Sequence, residues 1–280
     1  MKNSKKLTLT IVIPAYNEED YLKSCLDSIA SQTVKPDEVI LVDNNSVDDT
    51  IEIARAYKNL RILHEGKQGV FYASTKGFRD ARSDIIARID ADTVLPPIWI
   101  ERVLDDFDDG TIAATTGPVT YYDMPLPKHN YWFDHLMRKF THKFSPDTPF
   151  LYGSNMAVRK SEWRHLSKQL CTDRNIHEDI DLAIHFYLAN LKIKYNKQLL
   201  SGASGRRYND NARDFKDYIT MYKTSYHNHG LHGKAVLPAL FMWSLGYALI
   251  HPWRSLWYGI HRRFSAYPNT AEARKNPMAG

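Results

Sequence analysis

Strand-like and helix-like hydrophobic patterns alternate along the first third of the chain. Short runs of apolar and β-branched residues predict strands at residues 9–14, 38–42, 60–63 and 85–89. Helical patterns separate these runs: one follows Asn17, one follows Ser46, and one covers residues 69–81. This alternation predicts a parallel sheet joined by right-handed crossovers.

The pattern is less regular after residue 92. Helices are predicted at residues 98–107, 130–144 and 178–191, and strands at residues 112–120, 150–158 and 193–199. The helix predicted at residues 130–144 is amphipathic and rich in aromatic side chains. The chain as a whole is therefore expected to have an α/β fold.

Residues 235–253 contain no Lys, Arg, Asp or Glu. A membrane-spanning helix needs about 20 predominantly apolar residues. This stretch barely provides them, and Pro238 and Pro252 are expected to interrupt it. One interpretation is a buried terminal helix hairpin. The other is a helix that lies in or dips into a membrane, with Trp side chains at the headgroups and the following arginines on anionic lipid. We expect contact with a membrane surface rather than a full crossing.

The chain of 280 residues has a formal net charge of +5, and its basic excess lies from Lys234 onward. Such a tail binds nucleic acid or anionic lipid, and we expect lipid and no nucleic acid.

The two cysteines, Cys25 and Cys171, have no metal-binding or redox spacing and predict thiols in a reducing compartment. The N-terminal apolar run is better explained as a core strand than as a signal peptide. The expected location is the cytoplasmic face of the cell membrane, or otherwise the cytoplasm.

Two aspartates follow the fourth predicted strand. Asp90 and Asp92 are separated by one small residue, and residues two apart on an extended chain point the same way. If the strand ends here, both carboxylates face the crevice beyond its carboxyl end, where open α/β sheets bind ligands. Hard oxygen donors at this position suit Mg²⁺ or Mn²⁺ carried by a diphosphate. The alternative is a solvated turn.

Two other loops follow predicted strands. Pro14, Ala15, Tyr16 and Glu18 join the first strand to the first helix. There Tyr16 could lie against a base, and Glu18 could accept a hydrogen bond from a ribose hydroxyl. Asp43 ends the second strand and could accept from the N–H of a pyrimidine. Each loop also has a structural interpretation, as a helix start with solvated acids or as an Asx turn.

These motifs occur in a fixed order with Gly69, Ala73 and Gly77 of the third predicted helix. The ordered segments are Ile-Pro-Ala-Tyr-Asn-Glu-Glu (13–19), Val-Asp-Asn-Asn-Ser (42–46), Asp-Ala-Asp (90–92), Gly-Ser-Asn-Met-Ala-Val-Arg (153–159) and His-Glu-Asp (177–179). The set resembles the family 2 glycosyltransferases, which have the GT-A fold, over roughly residues 9–208. The resemblance implies a Rossmann-like, mostly parallel sheet flanked by helices at residues 1–210. Residues 211–280 would form a C-terminal helical appendage.

The resemblance implies a nucleotide-diphosphate sugar donor and a metal ion, Mn²⁺ or Mg²⁺. The donor-binding residues would be Pro14, Ala15, Tyr16, Glu18, Asp43, Asp90, Arg206 and Arg207. Asp43 would contact the base, which favours UDP. Asp90 would face the ribose and the metal, and Asp92 would be the firmer metal ligand, so that the metal acts as a Lewis acid on the departing nucleotide. For Arg206 and Arg207, a solvated pair is the alternative.

The resemblance also implies acid–base chemistry at Glu178 and Asp179. In an inverting transfer the acceptor hydroxyl attacks from the face opposite the leaving diphosphate, and a carboxylate must take its proton. Asp179 would be this base, and Glu178 would orient the base or the acceptor. The alternative is two acids stabilised by the helix dipole. Gly153, Ser154 and Asn155 would line the acceptor side.

Some residues near these motifs have a less defined role. His177 is expected to be a wall of the pocket. The segment His-Asn-His-Gly-Leu-His (227–232) could supply a third metal ligand, because certain GT-A enzymes use a late histidine, but a surface turn is favoured. Lys76 and Arg88 depart from the family pattern and could change donor specificity.

The expected function is metal-dependent, inverting transfer of a sugar from a nucleotide-diphosphate donor, with UDP favoured, to an acceptor hydroxyl. The acceptor is expected to be a lipid-linked or cell-envelope glycan. One alternative is a polyprenyl-phosphate sugar transferase. A second alternative is a metal-dependent nucleotidyltransferase. Such an enzyme would ordinarily have a Gly-rich phosphate loop after the first strand, whereas residues 14–17 of this chain are Pro-Ala-Tyr-Asn. A non-catalytic sugar-nucleotide binder is disfavoured because both Asp92 and Asp179 are present.

Overall fold

The computed structural model describes residues 6–124, 131–132, 134–136, 138–139, 148–173, 175–231 and 236–261. The strands are β1 (Leu9–Ala15), β2 (Glu38–Asp43), β3 (Leu60–His64), β4 (Ile85–Arg88), β5 (Ile112–Thr116), β6 (Val119–Tyr121), β7 (Met156–Arg159), β8 (Lys192–Tyr195) and β9 (Ser201–Ala203). The helices are α1 (Leu22–Ala30), α2 (Thr50–Arg55), α3 (Val70–Asp80), α4 (Trp99–Asp108), α5 (Lys160–Leu166), α6 (Glu178–Leu188), α7 (Ala212–Asn228) and α8 (Val236–His261). Arg206–Asn209 form a short 3₁₀ helix.

The main sheet has seven strands in the order β3-β2-β1-β4-β7-β5-β8. All of its pairs are parallel except those of β7, which runs antiparallel to β4 and β5. β6 and β9 pair in parallel in a small second sheet. The mostly parallel α/β fold is thus confirmed. Because β7 runs against β4, the loop before β7 lies at the edge where β1, β2 and β4 end.

Helices cover both faces of the main sheet, because successive strand residues point to opposite sides. Ile11 and Ile13 of β1 are buried in a cluster with α1 and α4. Val12 is buried on the opposite face in a cluster with α3, α5 and α6. Gly77 of α3 is needed for this packing, because a Cβ atom there would overlap the Val12 side chain. The predicted small residue in this helix therefore allows close helix–sheet contact.

Two predicted boundaries near the pocket differ from the structure. The pattern predicts that Asn17 caps the first helix, but α1 begins at Leu22. Asn17 instead has a positive φ of 54° and accepts a hydrogen bond from the Val47 N–H, so it joins two loops. The strand predicted at residues 150–158 begins only at Met156. Residues 153–155 consequently lie on the loop at the sheet edge.

The region around Pro118 also differs from the prediction. Gly117 and Pro118 divide the predicted strand into β5, in the main sheet, and β6, in the small sheet. Proline cannot donate to a strand ladder, which explains the break. The helix predicted at residues 130–144 lies largely outside the described residues, although each described position from 131 to 139 is helical.

The C-terminal helices α7 and α8 pack on each other, and an aromatic cluster joins them to Tyr208. The expectation that prolines interrupt the last helix is wrong, because α8 is continuous over 26 residues. Pro238 lies in its first turn, where the missing N–H has no helical partner, and Pro252 lies inside the helix. Within the described ranges, no helix is both long and apolar enough to cross a membrane. The predicted domain boundary after residue 210 stays a prediction.

One face of α8 is apolar and exposed to solvent. Every fourth residue contributes to this outer stripe, whose members are 43% to 70% exposed: Leu237, Phe241, Leu245, Leu249 and Trp253. Residues four apart lie on the same side of a helix. The stripe is therefore a continuous apolar surface on the described part of the appendage.

Candidate active site

A pocket of about 190 Å³ lies at the sheet edge where β1 and β4 end. It is lined by most of the residues that the sequence singled out: Pro14, Ala15, Tyr16, Glu18, Asp90, Asp92, Gly153, Ser154, Glu178, Asp179, Arg206 and Arg207. The topology explains this convergence, because the loops after β1 and β4, the loop before β7, the start of α6 and the loop after β9 meet here.

Asn155 is a predicted site residue that does not line the pocket. Its side chain is fully buried. Its Oδ1 atom accepts from the indole N–H of Trp99 at 2.9 Å, and its Nδ2 atom donates to the carbonyl oxygens of Pro118 and Leu199 at 2.9 and 2.7 Å. Because these bonds use its carboxamide in the interior, Asn155 braces the loops and is not available to an acceptor.

Asp43 also lies outside the pocket lining, next to the lining residue Asn44. Its carboxylate accepts from the Ser46 N–H at 3.0 Å and lies 3.3 Å from the His64 imidazole. Asn44 accepts from the Gly69 N–H at 2.7 Å. The loop after β2 is therefore held in a fixed shape beside the pocket mouth.

Arg206 bridges two carboxylates of the pocket, those of Glu18 and Asp92. Its Nη2 atom is 2.7 Å from Glu18 Oε1 and 3.0 Å from Asp92 Oδ2, and its guanidinium lies over the Tyr21 ring. Its side chain is only 14% exposed, so the alternative of a solvated arginine pair is wrong for this residue. Burial opposes its charge, but Asp92 and Glu18 outweigh that effect and raise the pKa of Arg206 well above its usual value.

Arg88 forms a second bridge, between Asp90 and Glu178. Its buried Nη2 atom is 2.8 Å from Asp90 Oδ1 and 3.1 Å from Glu178 Oε1. A Cβ atom on Gly153 would overlap this guanidinium. The Arg88 side chain therefore requires a glycine at residue 153.

The first two residues of α6 bring the acids to the pocket. Asp179 Oδ2 accepts from the Gly153 N–H and Oδ1 accepts from the Ile180 N–H, both at 2.8 Å. These bonds fix the orientation of a carboxylate that keeps further lone pairs for a substrate. Burial raises the pKa of Glu178 to about 7, although Arg88 acts in the opposite direction. Burial thus favours the protonated form of Glu178, which can donate a hydrogen bond.

The donor set at Asp90 and Asp92 fits a hard divalent cation. Both side chains offer only oxygen atoms on the pocket wall, and Mg²⁺ and Mn²⁺ prefer such ligands. Each carboxylate already contacts an arginine, Arg88 or Arg206. An ionised carboxylate has two oxygens with about four lone-pair sites. An arginine and a cation can therefore bind the same side chain.

Aromatic side chains that sequence reasoning missed form the other wall. Tyr121, Tyr152, Tyr208 and Trp243 line the pocket and also an adjoining, mostly apolar cavity of about 130 Å³. These residues come from separated parts of the chain and show no shared motif. The two spaces are therefore neighbours across a shared aromatic wall.

His177 lines the pocket, as expected from the sequence. Its Nε2 atom lies 3.0 Å from the Tyr218 carbonyl oxygen, and burial lowers the pKa of its imidazole. The neutral ring can thus donate this hydrogen bond. Neither His227 nor His229 lines the pocket, and His229 instead contacts Asp181 and Cys171. The structure therefore does not support either as a third ligand at Asp92, and His232 lies outside the described residues.

The chain matches known proteins in sequence and in fold. The sequence model described as glycosyl transferase family 2 matches residues 10–166. The O-antigen chain rhamnosyltransferase RfbN of Salmonella typhimurium is 27% identical over 201 residues, which cover 68% of this chain and 64% of that protein. The aligned parts of the first three curated relatives span 31%, 69% and 40% of those relatives' own lengths.

Solved structures share the fold at low sequence identity. A mannosyltransferase from Pyrobaculum calidifontis, PcManGT in complex with GDP-Man and Mn²⁺, superposes with a TM-score of 0.65 at 16% identity. The match covers 94% of this chain and 77% of that one. Residues 1–349 of S. aureus TarS in complex with UDP-GlcNAc match with a TM-score of 0.57 at 15% identity, over 93% and 77% of the two chains.

Proposed function

The chain belongs to glycosyl transferase family 2, and we propose that it moves a sugar from a nucleotide-diphosphate donor to an acceptor hydroxyl with inversion at the anomeric carbon. One observation carries this proposal. The same pocket is lined by Asp92, in the turn after β4, and by Asp179, at the start of α6. A donor diphosphate held near Asp92 through a divalent ion and an acceptor held at Asp179 would meet between them.

The donor half of the pocket suits a nucleotide diphosphate. Ala15 ends β1 and Glu18 follows it, and we assign the nucleoside to this side of the pocket, next to Tyr16 and Pro14. Arg206 keeps its positive charge beside Asp92 and Glu18, and together with Arg207 it would offset the negative charge of the diphosphate. A divalent ion bound by Asp92 and Asp90 would supply Lewis-acid stabilisation of the departing nucleotide.

The acceptor half supplies a base. The acceptor hydroxyl oxygen forms a bond to the anomeric carbon while the bond from that carbon to the diphosphate oxygen breaks. Asp179 takes the hydroxyl proton, and nucleoside diphosphate leaves with the bonding electrons. Hydrogen bonds from the Gly153 and Ile180 N–H groups hold the Asp179 carboxylate in place. Glu178, fixed by Arg88, would orient the acceptor.

We favour a uracil nucleotide because Asp43 ends β2 next to the lining residue Asn44. Its carboxylate accepts from the Ser46 N–H and keeps further lone pairs, which could accept from the N–H of a pyrimidine ring at the edge of the pocket. The likeness to proteins bound to GDP-Man and to UDP-GlcNAc leaves both nucleotides as candidates. We expect UDP to bind more tightly than GDP, and Asp43→Ala to weaken UDP binding about tenfold, the scale of one hydrogen bond to a charged group. Calorimetry with both nucleotides measures this.

The control for the nucleotide test is Glu52→Ala, which removes an exposed acid of α2 and should leave both affinities unchanged. Tighter binding of GDP than of UDP, with loss of GDP affinity in Asp43→Ala, would overturn the uracil assignment. It would leave the glycosyl transfer itself untouched.

We propose that the acceptor is lipid-linked or part of the cell envelope and that the enzyme works at the cytoplasmic membrane face. The outer stripe of α8 is one support, because contiguous exposed apolar surface of this kind marks interaction sites. The basic residues Lys234, Arg262 and Arg263 flank it in sequence. The apolar cavity beside the acceptor half is a second support. The RfbN relative, an O-antigen chain rhamnosyltransferase, is a third.

The membrane proposal predicts that full-length protein floats with anionic vesicles at low salt. A triple variant with Phe241→Ser, Leu249→Ser and Trp253→Ser should lower vesicle binding about tenfold or more. Full burial of one such side chain contributes about 1.5–3 kcal/mol, and each substitution removes part of that contribution to membrane binding. A matched control, Val47→Ser with Leu188→Ser, removes exposed apolar residues elsewhere and should float like wild type. If wild-type protein stays in the soluble fraction at low salt, where basic patches bind lipid best, the membrane contact is refuted.

A polyprenyl-phosphate acceptor is the second candidate. It is favoured by Arg206 and Arg207 in the pocket together with the adjoining apolar cavity. In such a transfer the acceptor oxygen belongs to a phosphate, which is already ionised near neutral pH and needs no base. Retention of near wild-type turnover in an Asp179→Asn variant would therefore favour this candidate.

A further inference from the structure

A cluster of potential metal ligands lies outside the pocket, on the far side of α6. Asp181 follows Asp179 by two residues, and helix residues two apart point in nearly opposite directions. Asp181 is 1% exposed, and it contacts Cys171 from the preceding loop and His229 at the end of α7. None of these residues lines the active-site pocket.

The three side chains converge on one point. The ligand atoms Cys171 Sγ, His229 Nε2 and one Asp181 carboxylate oxygen all lie within 4.8 Å of one another. The Sγ and Nε2 atoms are 3.6 Å apart, and Nε2 lies 2.7 Å from Asp181 Oδ1. Bond lengths of about 2.0–2.3 Å around zinc place tetrahedral ligand atoms about 3.3–3.7 Å apart. The separation of Sγ and Nε2 already matches this range. The Asp181 carboxylate oxygen needs to move away from His229 Nε2 by about half an ångström.

We propose that Cys171, Asp181 and His229 bind a Zn²⁺ ion, with a water molecule as the fourth ligand. One thiolate, one imidazole and one carboxylate form a donor set that suits Zn²⁺, which is borderline soft, better than Mg²⁺ or Ca²⁺. This set differs from the oxygen-only set of Asp90 and Asp92. The chain would thus carry two metal sites of different chemistry.

The surrounding contacts fit a built site. The Cys171 N–H donates to Asp181 Oδ2 at 2.9 Å, which fixes the carboxylate from its other oxygen. His185 donates from Nδ1 to the Asp181 carbonyl oxygen at 2.9 Å and packs edge-on against the His229 ring. Such outer contacts orient metal ligands. The ion would join the end of α7 to α6 and so support the helix that begins with the catalytic acids.

Cobalt titration of the full-length chain tests the site. The metal-stripped Asp92→Ala protein is used, so that the oxygen-only donor site does not contribute. We expect one Co²⁺ per chain with a sulfur-to-cobalt charge-transfer band and intense visible bands of four-coordinate cobalt, both removed by added Zn²⁺. Cys171→Ser should lose the charge-transfer band, and His229→Gln should weaken cobalt affinity at least about tenfold.

Two controls remove the same residue types elsewhere. Cys25→Ser changes the other cysteine, and His165→Gln changes an exposed histidine of α5; both should keep the spectrum. Circular dichroism checks that each variant is folded. If Cys171→Ser is not folded, Asp181→Asn, which keeps the side-chain shape, replaces it and should weaken cobalt affinity. A Co²⁺-treated parent chain without the charge-transfer band would overturn the proposal and leave the cluster as a hydrogen-bonded network. So would a band that persists in folded Cys171→Ser.

Discussion

Replacing Asp179 by Asn is expected to lower the turnover number by about a hundredfold or more, the usual scale for a lost general base. The substitution keeps the shape of the side chain, removes its ability to take a proton and replaces one of its two acceptor oxygens with an amide NH₂ group. The remaining oxygen can still accept from the Gly153 N–H, which now bonds Asp179 at 2.8 Å, at the cost of the bond from the Ile180 N–H. Donor affinity should stay close to the wild-type value, because the contacts of Arg206 with Glu18 and Asp92 do not involve Asp179. Steady-state kinetics combined with calorimetry separates the two effects.

The matched control is Asp217→Asn, which removes an exposed carboxylate of α7 and should leave turnover unchanged. If Asp179→Asn forms product near the wild-type rate with a hydroxyl acceptor, the base lies elsewhere. A fall in donor affinity equal to the fall in turnover would instead indicate that the substitution distorts the pocket.

Asp92→Ala is expected to abolish transfer and the metal-dependent part of donor binding, while the protein stays folded. The carboxylate lies in the turn after β4 and lines the pocket, where it could bind a hard cation, and it also holds Arg206 at 3.0 Å. Without this carboxylate, Arg206 loses one of its two acidic partners and keeps its bond to Glu18. The guanidinium therefore stays in the pocket wall. Donor binding with Mn²⁺ should fall to the level that wild-type protein shows in chelator.

Asp105→Ala, which removes an exposed acid of α4, controls for a general loss of negative charge. Circular dichroism and thermal melting check that the Asp92→Ala protein is folded. Full activity of this variant in chelator would refute the metal role.

The sequence is sufficient to predict the order of the first strands and helices and most of the pocket. Short β-branched runs and helical spacing are local signals, and parallel strands bring their carboxyl ends to one edge. The amino-acid pattern alone therefore places Asp90, Asp92 and the loop after β1 close together. Asp179 depends on the family resemblance, because two acids at a helix start have an ordinary structural explanation.

Arg88 and Asn155 show where this reasoning stops. A single arginine in an apolar strand indicates that an acid must be near, but it does not reveal that Asp90 and Glu178 share it. Asn155 lies next to two pocket residues, yet its carboxamide turns into the interior because β7 begins one residue later. Neither side-chain direction follows from spacing along the chain.

The continuity of α8 does not follow from the sequence pattern for a related reason. Proline at residues 238 and 252 predicts a break in the helix, but its cost depends on position. The first is harmless in the opening turn. The second lies just before Arg254, whose buried guanidinium is 3.0 Å from Asp123 Oδ2. Tertiary contacts of this kind anchor the helix and offset a local penalty that sequence alone overstates.

The anomeric configuration of the first product tests the central claim most directly. Full-length protein is incubated with Mn²⁺ and a panel of α-linked UDP- and GDP-sugars, with water or a simple alcohol as the acceptor. Proton NMR then follows the anomeric signals at early times, before free sugar equilibrates. The account predicts that at least one donor is consumed, that the first product is the β anomer, and that Asp179→Asn forms it at least about a hundredfold more slowly. A first product with retained α configuration would contradict the account.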